Sequence, residues 1–100
     1  MSETSDVSDS KFYVYILQSL RDKGLYIGYT TDLKNRLVQH ASGKVTSTKL
    51  RISFKLIHYE YFINKADAKA REVFLKSGFG RNQLKESLKR TLTKLGYNNL

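Results

Sequence analysis

Two runs rich in aromatic and β-branched residues, Lys11–Ser19 (KFYVYILQS) and Leu25–Thr30 (LYIGYT), stand five residues apart across the charged link Leu20–Gly24 (LRDKG). Runs of that composition around a short, glycine-ended link predict two strands joined as a hairpin. Side-chain alternation then places Tyr13, Tyr15 and Leu17 on one face of the first strand, and Tyr26 and Gly28 on one face of the second. The chain has 100 residues in total. At that length it supports one hydrophobic core and one domain.

Helical periodicity takes over after the hairpin. A threonine at 30 or 31 suits a helix cap, Asp32 suits the positive end of the helix dipole, and Leu33, Leu37 and Ala41 recur as an apolar stripe up to a stop at Gly43. The polar, basic stretch VTSTKLRIS reads as a loop into a third strand, FKLIHYEYF, with Ile57, Tyr59 and Tyr61 on one face and Leu56, His58 and Glu60 on the other. Asn64 and Asp67 cap a second helix whose main apolar stripe reads Ala66, Ala70, Val73 and Phe74, ending at SGFG. A last helix carries Leu84, Leu88, Leu92 and Leu95 and stops at Gly96. The expected fold is α/β of the α+β kind, in the order β-β-α-β-α-α.

Composition narrows the function. Lysine and arginine total 18 against nine acids, a net charge of +9, and three of those acids lie in the first ten residues, MSETSDVSDS, which read as a disordered tail. The expected organisation is thus a tail over 1–10, a single domain over 11–97 and a short end over 98–100. Such a cationic domain favours a polyanion, with nucleic acid first. Without cysteine, and with two histidines, disulfides and cysteine-based zinc sites are excluded and a histidine cage is a poor prospect. No apolar run approaches a membrane span and no secretory signal is visible, so the expected setting is soluble and cytoplasmic, away from membranes.

The chemistry concentrates at the joint between the second strand and the first helix. Arg36 and His40 sit side by side one turn apart, at the margin of the stripe made by Leu33 and Leu37. A half-buried guanidinium there can hold a phosphate in a bidentate fork, although a lone arginine more often lays its stem over a core edge. Glu72 invites two readings, as an isolated carboxylate or as the surface partner of Lys69 or Lys76 on its own helix. Tyrosines in strands are commonly packing residues, and His58 is read as structural.

Taken together, YVY (Tyr13–Tyr15), YIG (Tyr26–Gly28), TDLKNRLVQH (Thr31–His40) and the glutamate of AREVFLKSG resemble the GIY-YIG nuclease domain over residues 12–88. The likeness is closest to short stand-alone members related to the N-terminal nuclease domain of the bacterial excision-repair incision subunit. The resemblance implies a small three-stranded antiparallel sheet flanked by helices, and a metal-dependent phosphodiesterase that cuts DNA. It further implies roles for individual residues. Tyr15 and Tyr26 share the work of deprotonating and positioning the attacking water, Arg36 stabilises the pentacovalent phosphate, and His40 relays a proton. Glu72 holds one divalent ion, Mg²⁺ or Mn²⁺, and Asn82 falls near a late polar position of the family. Two positions depart from the pattern: Tyr13 replaces the glycine of the first motif, and Tyr29 stands where the excision-repair relatives carry a lysine.

Lys44, Lys49, Arg51, Arg81 and Lys85 are the expected nucleic-acid contacts. Loops of this kind grip phosphates and read few bases, so the expected activity is a structure-selective or weakly specific endonuclease of DNA repair or recombination, the choice of DNA over RNA being left open by the sequence. A partner protein would add specificity. The alternative is a basic binding module on the same fold that does not cut.

Overall fold

The computed structural model describes residues 10–45 and 53–96. The acidic tail over 1–9, the loop residues Lys49 and Arg51, and the chain end from 97 lie outside the described residues.

The hairpin forms as the sequence predicts, with β1 at Phe12–Ser19 and β2 at Leu25–Thr30. In its link, the Ser19 hydroxyl accepts from the Arg21 and Asp22 amides at 3.2 and 3.3 Å, and the Asp22 carboxylate accepts from the Gly24 amide at 2.9 Å. The third strand, β3 at Phe54–Phe62, pairs with the other edge of β1, giving an antiparallel sheet in the order β2-β1-β3. Tyr15 therefore stands between Gly28 and Tyr59, its direct neighbours on the two sides.

A bulge interrupts the pairing of β1 with β3. Ile16 pairs with His58 but Leu17 pairs with Leu56, so two residues of β3 oppose one step of β1. Leu56 thereby moves to the face of Leu17, and Ile57 joins the core on the other face, packed against the Val14, Ile16 and Ile27 cluster. Strict alternation from the sequence assigned these two residues to the opposite faces.

Helix α1 (Leu33–Ala41) lies on the Tyr15 face of the sheet. Its cap is Asp32 itself, which accepts from the Asn35 amide at 3.1 Å, while Thr30 accepts from the Asp32 amide. The opposite face receives α2 (Lys65–Lys76) and α3 (Gly78–Ser87), whose Ala68, Leu75 and Leu84 complete the core with Val14, Ile16 and Ile27. Asn64 caps α2 as predicted, accepting from the Asp67 amide at 3.0 Å.

The buried face of α2 differs from the apolar stripe in its sequence. Ala68 and Leu75 are the buried pair, with Arg71 and Glu72 partly buried between them, whereas Val73 is 69% exposed. Residues 68, 72 and 75 share one side of a helix by spacing, so polar side chains occupy the middle of the docked stripe.

The segment SGFG both ends α2 and starts the next helix. Ser77 accepts from the Gly80 amide at 3.0 Å, and a side chain at Gly80 would collide with the Phe74 carbonyl, which lets α3 turn tightly against α2. The last predicted helix is two: α3 ends at Ser87 with Leu88 as its cap, and α4 (Lys89–Lys94) follows with Leu92 buried and Gly96 beyond it at φ +84°. Among the described residues no helix is long and apolar enough to cross a membrane.

Candidate active site

Gly28 decides where Tyr15 points. The ring of Tyr15 lies directly over Gly28 on the neighbouring strand, and a Cβ there would occupy the space of its hydroxyl end. Glycine in a strand loses packing and conformational entropy, and here that loss leaves room for the ring of Tyr15.

At that position the Tyr15 hydroxyl meets Nε2 of His40 at 2.8 Å. His40 is 1% exposed and is the one fully buried residue of α1, so the helix docks along Leu33, Leu37 and His40 rather than along Leu33, Leu37 and Ala41. Rings of Tyr15, Tyr26 and Phe54 surround the imidazole at centroid distances of 5.6, 5.2 and 6.1 Å. A cavity of about 190 Å³ opens beside it, lined on its apolar side by Leu17, Leu37, Phe54 and Leu56.

These surroundings set the protonation states. Burial, with the nearby Arg36 charge second, holds the His40 pKa below its ordinary value, so the imidazole is neutral at pH 7, and in the tautomer protonated at Nδ1 its Nε2 accepts. Burial is also the largest influence on Tyr15 and pushes its pKa up, reinforced by Tyr26 and Glu72 and opposed by a hydrogen bond and charge from Arg36. Tyr15 is therefore a phenol, which donates to Nε2 of that tautomer. Positive charge at this hydroxyl comes from Arg36, with His40 serving as acceptor.

Arg36 approaches from one turn before His40. Its Nη1 donates to the Gln39 side chain at 2.9 Å, while its buried Nε has no hydrogen-bond partner among the described residues. A buried guanidinium N–H without an acceptor is costly in a folded protein, and an anionic oxygen would satisfy it.

Glu72 comes from α2, on the far side of the sheet, yet is close enough to Tyr15 for its charge to raise the phenol's pKa. Its side chain is 14% exposed and bracketed by two lysines, Lys76 at 3.0 Å and Lys69 at 3.6 Å. Both surface partnerships read from the sequence thus exist, while the carboxylate itself is largely buried. Lys69 also sits 4.4 Å above the ring of Tyr29, placing an ammonium from α2 on that ring.

Glu72 offers hard oxygen donors, and among the described residues no group of three His, Cys, Asp or Glu side chains could form a cage for a metal. That donor set fits an ion such as Mg²⁺, which takes one or two carboxylates and completes its shell with water and phosphate oxygens.

The other expected residues lie further out. Asn82 is exposed on α3, with no hydrogen bond or ion pair to Tyr15, Arg36 or Glu72 among the described residues; Arg81 and Lys85 share that helix, and Lys44 is exposed just beyond α1. His58 joins Arg71 around Glu60 on the face opposite Tyr15, at 3.1 and 2.8 Å, in keeping with a structural role. Lys69 is the residue near the site that motif reading missed. Its visible signal was the i,i+3 spacing to Glu72.

The family model described as the GIY-YIG catalytic domain matches residues 11–85. Two relatives from Streptococcus pyogenes, UPF0213 protein SpyM3_1077 of serotype M3 and UPF0213 protein SpyM50708 of serotype M5, are each 41% identical over 78 residues, covering 77% of this chain and 84% of theirs. No solved structure matches significantly. A catalytic-domain match across most of the chain, laid over a sheet that brings both motif tyrosines to one buried histidine, makes this protein a member of the GIY-YIG nuclease family.

Proposed function

We propose that this chain is a divalent-metal-dependent endonuclease that hydrolyses phosphodiester bonds of DNA during repair or recombination, recognising shape more than sequence. One observation carries the reading: the buried Tyr15 hydroxyl, at the head of a hydrogen bond to a neutral His40, lies beside a guanidinium with an unpartnered N–H.

In this reading Arg36 binds the scissile phosphate through its unsatisfied donor and holds it in line with the Tyr15 hydroxyl. Tyr15 passes its proton to Nε2 of His40 and so takes up the proton of the attacking water, with Arg36 stabilising the transient phenolate. Tyr26, packed against both rings, fixes their orientation. Glu72 holds the divalent ion, which when bound supplies Lewis-acid stabilisation of the phosphate charge. Lys44, Lys49, Arg51, Arg81 and Lys85 contribute sequence-independent attraction for the backbone.

The test is cleavage of labelled duplex, nicked, flap and four-way-junction DNA with Mg²⁺, Mn²⁺ or EDTA, comparing wild type with Glu72→Ala. Metal-dependent cutting that disappears in the variant, with binding retained, is the expected result. Salt-sensitive binding of every substrate with no cutting under any metal would instead make the chain a non-catalytic binding module.

A further inference from the structure

The face of the sheet that carries Tyr15 also carries three tyrosines that the hydrolytic site does not use. Tyr59 stands directly across from Tyr15, and Tyr61 directly across from Tyr13. The ring of Tyr13 meets that of Tyr59 edge-on at 6.1 Å and that of Tyr61 at 5.6 Å. Cross-strand aromatic pairs stabilise a sheet through their mutual contact. Here Tyr59 and Tyr61 remain 51% and 48% exposed, on an edge strand, away from the Leu17 and Leu56 end where α1 packs.

The charge around this surface favours one kind of occupant. Among the described strand residues the single carboxylate is Glu60, which belongs to the opposite face and is held there by Arg71 at 2.8 Å. An aromatic face whose described strand residues carry no acid, on a chain of net charge +9, suits a polyanion that also offers flat apolar faces. Unpaired nucleotides do so. Duplex bases do not, because their faces are already stacked on one another.

We propose that Tyr13, Tyr59 and Tyr61 form a stacking platform for unpaired bases, so that the substrate is a nucleic acid with single-stranded nucleotides beside the scissile phosphate. The backbone of Tyr59 is one strand spacing, about 4.8 Å, from that of Tyr15. The platform's service to hydrolysis rests on the function proposed above, whereas its preference for unpaired bases is measurable without any cutting.

The experiment is fluorescence anisotropy in EDTA with labelled oligothymidylate and with a labelled blunt duplex, using wild type, Tyr59→Leu, Tyr61→Leu and the ring-preserving Tyr59→Phe and Tyr61→Phe. Leucine keeps apolar cover over the sheet, and thermal melting checks that each variant is folded. Each leucine variant is expected to weaken oligothymidylate binding about tenfold, the phenylalanine variants to retain it, and duplex binding to change less than about twofold. Equal losses on both ligands, or no loss on either, would overturn the proposal. So would leucine variants that turn a dimer into a monomer in sedimentation while binding oligothymidylate as wild type does, since the surface would then be for self-association. Failure of metal-dependent cleavage would leave these affinities standing.

Discussion

The Tyr15 hydroxyl and Nε2 of His40, 2.8 Å apart and both buried, couple the centre of the sheet to the last turn of α1. In the proposed mechanism the pair works only while His40 is neutral. Protonated His40 would turn the acceptor into a donor, and the phenol would have nowhere to send its proton. Cleavage is therefore expected to fall on the acid side as His40 titrates, with a midpoint below about 6.5, and His40→Gln is expected to remove that limb from a pH–rate profile.

The same shift is a stability effect with a fixed sign. Unfolded His40 takes up a proton near pH 6.5, whereas the folded imidazole does so only at lower pH, so its contribution is intact above about 6.5 and is lost as pH falls towards the folded value. Tyr15, raised in the folded state, acts at the other end: its contribution is intact below about pH 10 and declines above it. Melting temperatures measured from pH 8 down to 5 should drop more steeply for wild type than for His40→Gln. Parallel curves would contradict the assignment.

Tyr15→Phe removes one oxygen and keeps the ring over Gly28. Loss of the hydrogen bond should cost about 1 kcal/mol of stability, while cleavage falls at least about 100-fold. Denaturant unfolding and single-turnover rates separate the two effects.

Gly28→Ala tests the close approach from the other side. The added methyl displaces the Tyr15 ring, and with it the hydroxyl from His40. Overpacking of this kind typically costs about 1–3 kcal/mol, and activity should fall with it. An alanine variant as active and as stable as wild type would show that the ring can move without consequence.

Lys76 and Lys69 both pair with Glu72, so a cation held there as proposed would have to displace them. Lys76→Met, which removes the 3.0 Å partner and keeps the length of the side chain, is expected to tighten Mn²⁺ binding in a calorimetric titration. Lys69→Met should do the same more weakly, given its 3.6 Å separation. Weaker binding in both variants would mean that the lysines hold Glu72 in position for the ion.

Arg36→Lys keeps the charge and loses the planar fork. If the unpartnered Nε is what meets the phosphate, lysine cannot replace it, and cleavage should fall nearly as far as in Arg36→Ala. Full activity in the lysine variant would reduce the role of Arg36 to charge.

Much of this architecture is legible in the sequence because it is written locally. Strand composition and a short link gave the hairpin, and Asn64 announces the start of α2. Net charge names the class of partner, and the joint order of YVY, YIG, Arg36, His40 and Glu72 names the family. Each of these signals lies within a few residues of the feature it specifies.

The placement of the site was decided by tertiary contacts. The bulge at Leu56 and Ile57 exchanges the faces of two residues without a Gly or Pro to announce it, because it arises from pairing with β1. Helix α2 docks on Ala68 and Leu75 rather than on its more apolar stripe, since what is buried depends on the surface a helix meets and not on its own periodicity. That rotation leaves Val73 exposed and carries Glu72 into the interface. Spacing placed His40 at a margin, yet it became the buried centre of α1 because Tyr15, Tyr26 and Phe54 from three strands close around it. The sequence by itself determined which side chains were at hand and the elements that carry them. Only the packing of those elements determined which groups lost water, and desolvation is what keeps His40 a neutral imidazole and Tyr15 a phenol.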